Sequence, residues 1–505
     1  MKIFLYNPDD GISYNYIPHL WMFLLKALTP ENHEVIIADR KVQNMNEKEI
    51  SEYVVENGIG LVGIGAMTRM IGKAYKVADA VRERGISVVM GGPHVTVMPE
   101  EALKHADSVA IGEADNTWPQ MVEDAKNGNL KKIYRNAGKN GKEEKPDLGS
   151  YPLIPWSELD IGGFNNIPKI LRPMIKHFAK GWENFFLIPV ETQRGCPYGC
   201  EFCTVTRFFG NSIRFRTNES VVQELLNLKS IVKEGRGRVG VLFVDDNFAI
   251  NLKRTKSLLR DIIAANAQIF YFAQISINLL KDDELIDLLA ESGCKWIFIG
   301  LESIDETNLK LVHKNQNKPK DYKRILEKLA QKDIYAIVSF IFGFDNDSPG
   351  IAERTFQQLK TWPPCLPVFG QLTPYPGTPL YDKLLFENRL ERPVHWIEVQ
   401  PFEMAHHPLR ISPEIVHQEL KKAWTFSYSS EMNYKSINCL SDRDIGYQLF
   451  HLIARVIFHG IYFPQKSSFK WIKVLFKNRK AFFKVGKSIY RKRIHSSKVS
   501  NGVRP

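Results

Sequence analysis

The sequence predicts an α/β protein with two successive units of parallel sheet and a helical C-terminal region. Apolar strands alternate with helical stretches over residues 1–140, the pattern of a parallel, Rossmann-like sheet. The alternation resumes at residue 186 and gives six strand–helix units up to about residue 385. Residues 141–185 are weakly periodic and indicate a connector, and residues 386–505 carry helical patterns. A chain of 505 residues is long enough for two or three domains with separate cores.

The charge is distributed unevenly along the chain. The sequence has 68 Lys and Arg against 56 Asp and Glu, a formal net charge of +12. Residues 461–505 hold thirteen of the basic residues and none of the acidic ones, so the remainder has 55 basic (68 minus 13) and 56 acidic residues. We therefore expect no nucleic-acid partner for the nearly neutral body and a separate partner for the basic tail.

The cysteines and the N-terminus indicate the compartment. Six cysteines in 505 residues do not form a disulfide framework, and three clustered thiols require reducing conditions. The start, Met1–Pro8, has the pattern of a first strand rather than of a signal peptide. We expect a cytoplasmic protein.

The first unit offers two glycine-containing loops for a bulky ligand. Ligands of parallel sheets bind outside the carboxyl ends of the strands, and two of these ends continue into Gly91–Thr96 and Gly112–Asp115. Small residues there let the backbone approach a ligand closely. The strands predicted in this unit are Lys2–Asn7, Glu34–Ala38, Leu61–Gly65, Ser87–Met90 and Ser108–Ile111.

Three cysteines open the second unit. Cys196, Cys200 and Cys203 have the spacing CxxxCxxC and follow an apolar, strand-like run. Thiolates select iron–sulfur clusters or zinc, and an iron–sulfur cube normally takes four cysteines. Because no fourth thiol follows nearby, three ligands on one loop leave one iron open to a substrate. The alternative is an incidental group of cysteines or a zinc site with a remote fourth ligand.

This spacing, with Phe202 before the last cysteine, resembles the radical S-adenosylmethionine (SAM) superfamily. The resemblance implies a partial (β/α)6 barrel, one 4Fe-4S cluster whose open iron chelates SAM, and an electron donor such as flavodoxin or ferredoxin. It also implies a site at the carboxyl ends of the strands. The six predicted strands are Leu187–Glu191, Val239–Val244, Ile269–Ile275, Trp296–Gly300, Ile337–Phe342 and Val368–Thr373. Carried over by position, the SAM-binding residues are Phe202, Asp245, Asp246, Gln274, Ser276, Glu302, Ser303 and Ile341.

The first unit resembles the cobalamin-binding domain of cobalamin-dependent radical SAM enzymes. The resemblance rests on GGPHVT, PEEAL and IGEAD preceding the cysteine loop. It implies that the corrinoid is lined by Met67, Thr68, Gly91, Gly92, His94, Gly112 and Glu113. His94 has an equal alternative as a turn residue bonded to the backbone. The DxHxxG motif that supplies a cobalt-ligating histidine is missing from residues 7–14, and His19 is off-pattern, so we expect cobalt without a protein imidazole.

The C-terminal region combines an apolar helix with a basic one. A helical segment is predicted at 413–435, and Ile445–Phe463 is apolar except for a stripe of Gln448, His451, Arg455 and His459. In the tail, lysines from Lys470 to Lys487 recur every three or four residues, with Trp471, Leu475, Phe482, Val485 and Ile489 on another face. This pattern predicts peripheral membrane contact through 445–495, at the inner face of the membrane. The alternatives are a helix packed on the barrel with a solvated basic face, and RNA binding.

The resemblance implies methylation of an unactivated carbon, with SAM as radical source and cobalamin as methyl carrier. The basic tail favours a lipid-like or other small-molecule substrate. Short motifs at 245–248 and 344–347 are similar to those of the hopanoid-methylase-like branch. The alternatives are a cyclisation or oxidative rearrangement using both cofactors, and a corrinoid-binding sensor with a vestigial barrel. Cys294, Cys365 and Cys439 are scattered, so no second cluster is expected.

Overall fold

A computed structural model provides the structure of the protein. It describes residues 1–8, 17–38, 45–136, 144–156, 172–178, 181–233, 238–391, 396, 403–443, 445–463 and 468–487. The loop at 9–16, where the DxHxxG motif would stand, lies outside these residues, as does most of the predicted connector.

The first sheet has six parallel strands in the order β2-β1-β3-β4-β5-β6. All five predicted strands are present, and β6 is an additional short strand beside β5 that the sequence analysis missed. Only one residue of the three in β6 is buried, so the strand lacks the apolar run that reveals the others. The bounds are β1 Lys2–Tyr6, β2 Glu34–Ile37, β3 Ile59–Gly65, β4 Ser87–Gly91, β5 Ser108–Ile111 and β6 Ile133–Arg135.

Helices cover both faces of this sheet, and local sequence explains their ends. The second helix begins at a capping box, in which the Asn46 side chain accepts from the Glu49 amide and the Glu49 carboxylate accepts from the Asn46 amide. The helix after β4 begins at Pro93, where the missing amide hydrogen costs nothing. The bounds are α1 Leu20–Leu28, α2 Glu47–Glu56, α3 Ile71–Arg82, α4 Pro93–Val97, α5 Pro99–Ala102 and α6 Trp118–Lys126.

A short connector joins the two sheets. Trp156 is buried and donates from Nε1 to Glu224 Oε1 at 2.6 Å, which ties the connector to the helix Asn218–Lys233 of the second unit. The described helical part is α7 Arg172–Phe178.

The second sheet is a parallel half-barrel of six strands in chain order. All six predicted strands are found, and a two-residue antiparallel pair, β8 with β9, brackets the cysteine loop. The bounds are β7 Phe185–Val190, β8 Gln193–Arg194, β9 Arg214–Phe215, β10 Arg238–Phe243, β11 Tyr271–Gln274, β12 Cys294–Glu302, β13 Tyr335–Phe342 and β14 Leu366–Gln371.

Amphipathic helices pack outside the half-barrel. The helix Pro319–Gln331 buries Tyr322, Ile325, Leu326 and Leu329 at helical spacing, and lysines lie on its exposed side. The bounds are α8 Val205–Phe208, α9 Asn218–Lys233, α10 Leu252–Ala264, α11 Asp283–Ser292, α12 Glu306–Leu311, α13 Pro319–Gln331, α14 Ile351–Leu359 and α15 Pro379–Phe386.

The C-terminal region is helical among the described residues. The segment predicted at 413–435 is two helices, and the later helices end with a helical stretch at 479–487. No helix in the described part of the chain has the length and apolar character needed to cross a bilayer. The bounds are α16 Pro413–Ser427, α17 Ser430–Cys439, α18 Ile445–Tyr462 and α19 Ser468–Lys477.

The apolar helix α18 closes the end of the half-barrel where the strands begin. Leu449, Leu452 and Ile453 pack in one cluster with Phe185, the first residue of β7. The predicted polar stripe is therefore turned inward: Gln448, His451 and Arg455 are each 1% exposed. Arg455 donates to the carbonyl of Cys365 at 2.8 Å and to Asn433 Oδ1 at 2.6 Å. Any membrane contact must therefore use the residues that follow this helix.

The tail packs on the same cluster. The cluster includes Leu475, Ala481, Phe482 and Val485. This face of the tail therefore packs on the protein, as the alternative of a helix packed on the barrel predicts. Asn478, between the two helical stretches, accepts from Asn433 Nδ2 at 2.8 Å and anchors the tail to the body. Ile489 and the remaining basic residues beyond 487 lie outside the described part of the chain.

Candidate active site

The cysteine loop is held in one shape by its backbone. Gly195, directly before Cys196, has a φ of 98°. A Cβ there would lie 2.3 Å from the Ser212 carbonyl oxygen, so only glycine fits. Within the loop the Cys203 amide donates to the Cys200 carbonyl at 3.1 Å. The three thiols are thus presented together from one turn.

All three thiols are half-buried and free. Burial raises the pKa of Cys203 to about 11, and the neighbouring Cys200 and Cys196 contribute in the same direction. Burial also raises the pKa of Cys196 and of Cys200, while the charge of Lys314 opposes the rise at both. Because a metal ligand must be a thiolate, cluster binding here releases protons.

The loop is fastened to the half-barrel on two sides. The Glu201 amide donates to the Val312 carbonyl at 3.2 Å, and the Glu201 carbonyl accepts from the Leu380 amide at 3.0 Å. On the other side, Asn278 Nδ2, just beyond β11, donates to the Tyr198 hydroxyl at 3.0 Å. The cysteines therefore lie at the carboxyl end of the sheet, as the sequence predicts.

Lys314 is a largely buried cation beside the cysteines that the sequence analysis missed. Its Nζ lies 2.5 Å from Glu302 Oε1 and 5.8 Å from the centre of the Phe202 ring. Burial by itself would lower the pKa of Lys314, but Glu302 raises it above its usual value. A positive charge at this position favours thiolates. No local motif marks Lys314, which reaches the site only through the turn after α12.

Glu302 reaches Lys314 through an unusual backbone. Its φ is 63°, and the pairing of β12 with β13 shifts register between Gly300 and Glu302. A Cβ on Gly300 would lie 2.3 Å from the Glu302 carboxylate. A non-glycine residue held at positive φ is commonest at functional sites.

The two adjacent aspartates have different surroundings. Asp245 is buried and accepts from the Thr192 amide at 2.7 Å and the Thr192 hydroxyl at 2.6 Å, so both carboxylate oxygens are hydrogen-bonded within the protein. Asp246 is half-buried. Burial and then the Asp245 carboxylate raise the pKa of Asp246 to about 7, and the Gly195 amide donates to it. Of the pair, Asp246 is the one that faces the cysteine loop.

The remaining residues predicted for SAM lie along the same edge. Gln274 donates to the Asp246 carbonyl at 2.9 Å, and Ser276 accepts from Asn247 Nδ2 at 2.8 Å. The Ser303 hydroxyl accepts from the Asp305 amide at 3.1 Å, at the start of α12. Phe202 and Ile341 are partly buried against one apolar cluster that includes Phe344 and Leu380.

Two residues predicted to line the corrinoid, Thr68 and His94, form a hydrogen-bonded group with Glu101 in the first unit. His94 is fully buried, with Nδ1 3.2 Å from the Thr68 hydroxyl and Nε2 3.2 Å from Glu101 Oε1. Burial lowers the pKa of His94, so the ring is neutral. Both ring nitrogens contact side chains, Thr68 and Glu101, rather than the backbone of a turn. Trp396 Nε1 donates to the same Glu101 carboxylate at 3.2 Å, which connects the C-terminal region to this hydrogen-bonded group.

The glycine loops beside these side chains pack closely against the end of β3 and against each other. Gly92 has a φ of 101°, and a Cβ there would meet the Ala66 carbonyl at 2.8 Å. The Gly112 amide donates to Thr96 Oγ1 at 2.9 Å, which joins the two loops. Met67, at the carboxyl end of β3, is 53% exposed and offers an apolar surface.

His19 is the other histidine at this sheet edge. Its Nε2 lies 3.1 Å from Asn7 Nδ2, at the end of β1. Burial lowers the pKa of His19 to about 4, so the ring is neutral.

Glu113 joins the two units, although the sequence analysis placed it on the corrinoid. Its carboxylate lies 2.6 Å from Arg194 Nη1 and 2.7 Å from Arg214 Nη2, and its side chain is 1% exposed. Arg194 also pairs with Asp115 at 2.9 Å and with Glu191 at 3.0 Å. Because Arg194 stands two residues before Cys196, this network connects the IGEAD loop directly to the cysteine loop.

The donor set fits an iron–sulfur cluster. Among the residues that the structure describes, no three Cys, His, Asp or Glu side chains converge on the position of a single metal ion. A cube provides each cysteine with its own iron atom, so its ligands need not converge. Three adjacent thiols on a fixed loop, with Lys314 beside them, suit such a group.

Comparison with known families identifies both units. The Radical SAM superfamily model matches residues 190–359, and the B12 binding domain model matches residues 12–122. These matches cover the half-barrel with its cysteine loop and the first sheet with its glycine loops. The protein is therefore an enzyme that unites a radical SAM domain with a corrinoid-binding domain, and its cofactors are a 4Fe-4S cluster, SAM and cobalamin.

Curated relatives of this chain are named as methyltransferases and as a cyclase. A bacteriochlorophyllide d C-8(2)-methyltransferase of Chlorobaculum tepidum is 28% identical over 74% of this chain and 78% of the relative. A hopanoid C-2 methylase of Rhodopseudomonas palustris is 23% identical over 74% of this chain and 66% of the relative. An anaerobic magnesium-protoporphyrin IX monomethyl ester cyclase of Rubrivivax gelatinosus is 24% identical over 70% of this chain and 63% of the relative.

A solved structure has the same fold. The radical SAM methyltransferase TsrM of Kitasatospora setae, with cobalamin and a 4Fe-4S cluster bound, aligns with a TM-score of 0.61 at 18% identity. The alignment covers 91% of this chain and 98% of that one. The chain belongs to the cobalamin-dependent radical SAM enzymes.

Proposed function

We propose that this protein is a cobalamin-dependent radical SAM C-methyltransferase. The observation that carries the proposal is the cysteine loop fastened to the corrinoid-binding unit through Arg194, Arg214 and Glu113. When bound, the cofactors supply hydrogen abstraction from an unactivated carbon and delivery of a methyl group. The polypeptide supplies orientation and excludes water between the two units. The relatives named as methyltransferases support this activity.

The proposed cluster ligands are Cys196, Cys200 and Cys203. Their shared loop and mutual electrostatic influence support the assignment. Lys314 balances the negative charge that three thiolates bring into a half-buried site, because it lies close enough to Cys200 to oppose the rise in its pKa.

The proposed SAM site occupies the carboxyl edge of the half-barrel. Asp246 faces the cysteine loop and suits the ammonium group of SAM, while Asp245 positions Thr192 beneath it. Glu302 and Ser303 remain proposed for the ribose side, with Phe202 and Ile341 supplying an apolar wall. The proposed set is Phe202, Asp245, Asp246, Gln274, Ser276, Glu302, Ser303 and Ile341.

The proposed corrinoid site is the carboxyl edge of the first sheet, in the unit at 1–140. Its lining comprises Met67, Thr68, Gly91, Gly92 and Gly112. His94 supports that lining by orienting Thr68, and Glu113 positions the loop through its arginines. The barrel unit at 186–385 faces it, with 141–185 as connector and 386–505 as the helical region.

The direct test is anaerobic reconstitution followed by turnover. Purified protein is loaded with iron, sulfide and cobalamin, both metals are quantified, and the holoenzyme is incubated with cell lipid extract, methyl-labelled SAM and reduced flavodoxin as the electron donor. We expect one cluster and one corrinoid per chain, and label in a product heavier by one CH₂. Holoenzyme that cleaves SAM without transferring label to any extract component contradicts the proposal.

A second candidate is a cyclisation or oxidative rearrangement with the same cofactors. The match to an anaerobic cyclase over 70% of this chain supports this second candidate. Product mass separates the two, because a rearrangement consumes SAM without adding CH₂ to the substrate.

The substrate is proposed to be a lipid-like or other small molecule. The substrates after which the relatives are named, a hopanoid and bacteriochlorophyllide d, support this class. An electron donor such as flavodoxin or ferredoxin is proposed as partner, because the cluster requires one electron per SAM cleaved. We also propose a cytoplasmic protein that operates at the inner face of the membrane, supported by the basic tail.

A further inference from the structure

The C-terminal tail exposes three large apolar side chains on its outward face. Ile472, Phe476 and Phe483 are 55%, 65% and 75% exposed. At helical spacing, Ile472 and Phe476 fall within about 40° of each other around the axis of α19, and Phe483 is exposed on the helical stretch that follows Asn478. Single exposed apolar residues are ordinary, but an aligned group rimmed by polar residues marks an interaction surface.

The opposite face of the tail is covered by the protein itself. Leu475, Phe482 and Val485 pack in the cluster beneath the half-barrel, and buried Asn478 bonds to Asn433 at 2.8 Å. These contacts fix the rotation of the tail about its axis. The apolar set on the outward face therefore cannot turn inward without breaking the packed face.

The outward face also has a strong and uniform charge. Lys477, Lys480 and Lys487 are exposed beside the apolar set. The Arg479 guanidinium lies 4.3 Å from the centre of the Phe476 ring. Residues 461–505 contain thirteen Lys and Arg and no acidic residue. A surface that offers negative charge next to hydrocarbon complements this arrangement.

We propose that the outward face of the helical tail at 468–487 binds an anionic lipid bilayer. Ile472, Phe476 and Phe483 enter the boundary between headgroups and acyl chains, and the flanking lysines contact lipid phosphates. The buried, opposite face keeps the tail attached to the enzyme. This surface differs from the face that the lysine periodicity suggested, because that apolar face is covered by the protein itself.

The position of the tail determines how the enzyme is oriented. The tail packs on the end of the half-barrel where the strands begin, next to Phe185. The cysteine loop lies at the other end of the same strands. The enzyme is thus attached by the end opposite its site, and the inference holds whether or not the proposed methyl transfer is correct.

Vesicle binding of the full-length holoenzyme tests the inference. The probes are vesicles of phosphatidylglycerol with phosphatidylcholine, and vesicles of phosphatidylcholine alone. We expect binding to the first, and roughly 100-fold weaker binding when Ile472→Ser, Phe476→Ser and Phe483→Ser are combined. Lys477→Gln, Lys480→Gln and Lys487→Gln together should weaken binding by roughly 5-fold per lysine at low salt.

The matched control removes exposed apolar residues elsewhere. Leu385 and Phe386, at the end of α15, are 47% and 92% exposed, and Leu385→Ser with Phe386→Ser should bind vesicles as the wild type does. Unchanged iron and cobalamin contents show that each variant is folded. The proposal is overturned if the wild type ignores anionic vesicles, if the apolar variant binds like the wild type, or if the tail binds RNA in preference to lipid.

Discussion

Replacing Glu113 by glutamine should loosen the contact between the corrinoid-binding unit and the cysteine loop. The substitution keeps the side-chain shape but removes the charge shared by two arginines. Arg194 retains Asp115 and Glu191, whereas Arg214 is left with the carbonyls of Pro146 and Phe209. Arg214 therefore loses its counter-ion, and Lys145 loses a weaker ion pair at 3.9 Å.

The size of the effect follows from burial. Removing one partner of a buried ion pair costs about 3–5 kcal/mol. The Arg214 side chain is 17% exposed against 1% for Glu113, so water recovers part of the loss and we expect about 3 kcal/mol. Asp115→Asn is the matched control, because it leaves Arg194 with Glu113 and Glu191; its cost should be about 1 kcal/mol.

Hydrogen exchange measures this contact locally. The helices α4 and α8 contact each other across the boundary between the units. In Glu113→Gln, amides there should exchange roughly 100-fold faster, while the outer strands of the half-barrel remain protected. In turnover, the variant should release more 5′-deoxyadenosine per methylated product, because radical formation needs only the barrel.

Two outcomes would refute the reasoning about Glu113. One is unchanged exchange at the boundary in Glu113→Gln. The other is an equal loss of protection in Asp115→Asn, which would mean that the number of charges and not their pairing holds the units together.

Three further predictions address single sites. Cys203→Ala should abolish iron retention after reconstitution, whereas Cys439→Ala should match the wild type; iron retained by the first variant contradicts the ligand assignment. Lys314→Met leaves Glu302 without its counter-ion and should cost about 3–5 kcal/mol in denaturant unfolding of the apo-protein. Lys318→Met, which breaks an exposed pair at 4.0 Å, should cost under about 1 kcal/mol, and equal losses would argue against the burial effect. Burial lowers the pKa of His406 to about 4, so the unfolded chain takes up this proton first as pH falls. Stability from this histidine is complete above pH 6.5, and about 3 kcal/mol is lost towards pH 4; His406→Gln should remove that slope.

The sequence alone determined the elements and the chemistry of the site. Every predicted strand of both sheets is present, because buried parallel strands are continuous apolar runs bounded by polar loops. The cysteine loop was also recognisable, since its three thiols lie within eight consecutive residues and their spacing is a local property. The short strand β6 was not predicted from the sequence because two of its three residues are exposed.

Only the tertiary structure decided how these parts are connected. Glu113 and Arg214 are 101 residues apart, and no pattern in either segment specifies the other as its partner. Lys314 and Glu302 likewise meet through a turn and a register shift that composition does not encode. In the tail, periodicity predicted a helix with an apolar face, but whether protein or solvent covers that face depends on the cluster formed with α18. Local spacing specifies an element and its ligands, whereas the partner of a buried charge or apolar face depends on which distant segments the fold brings together.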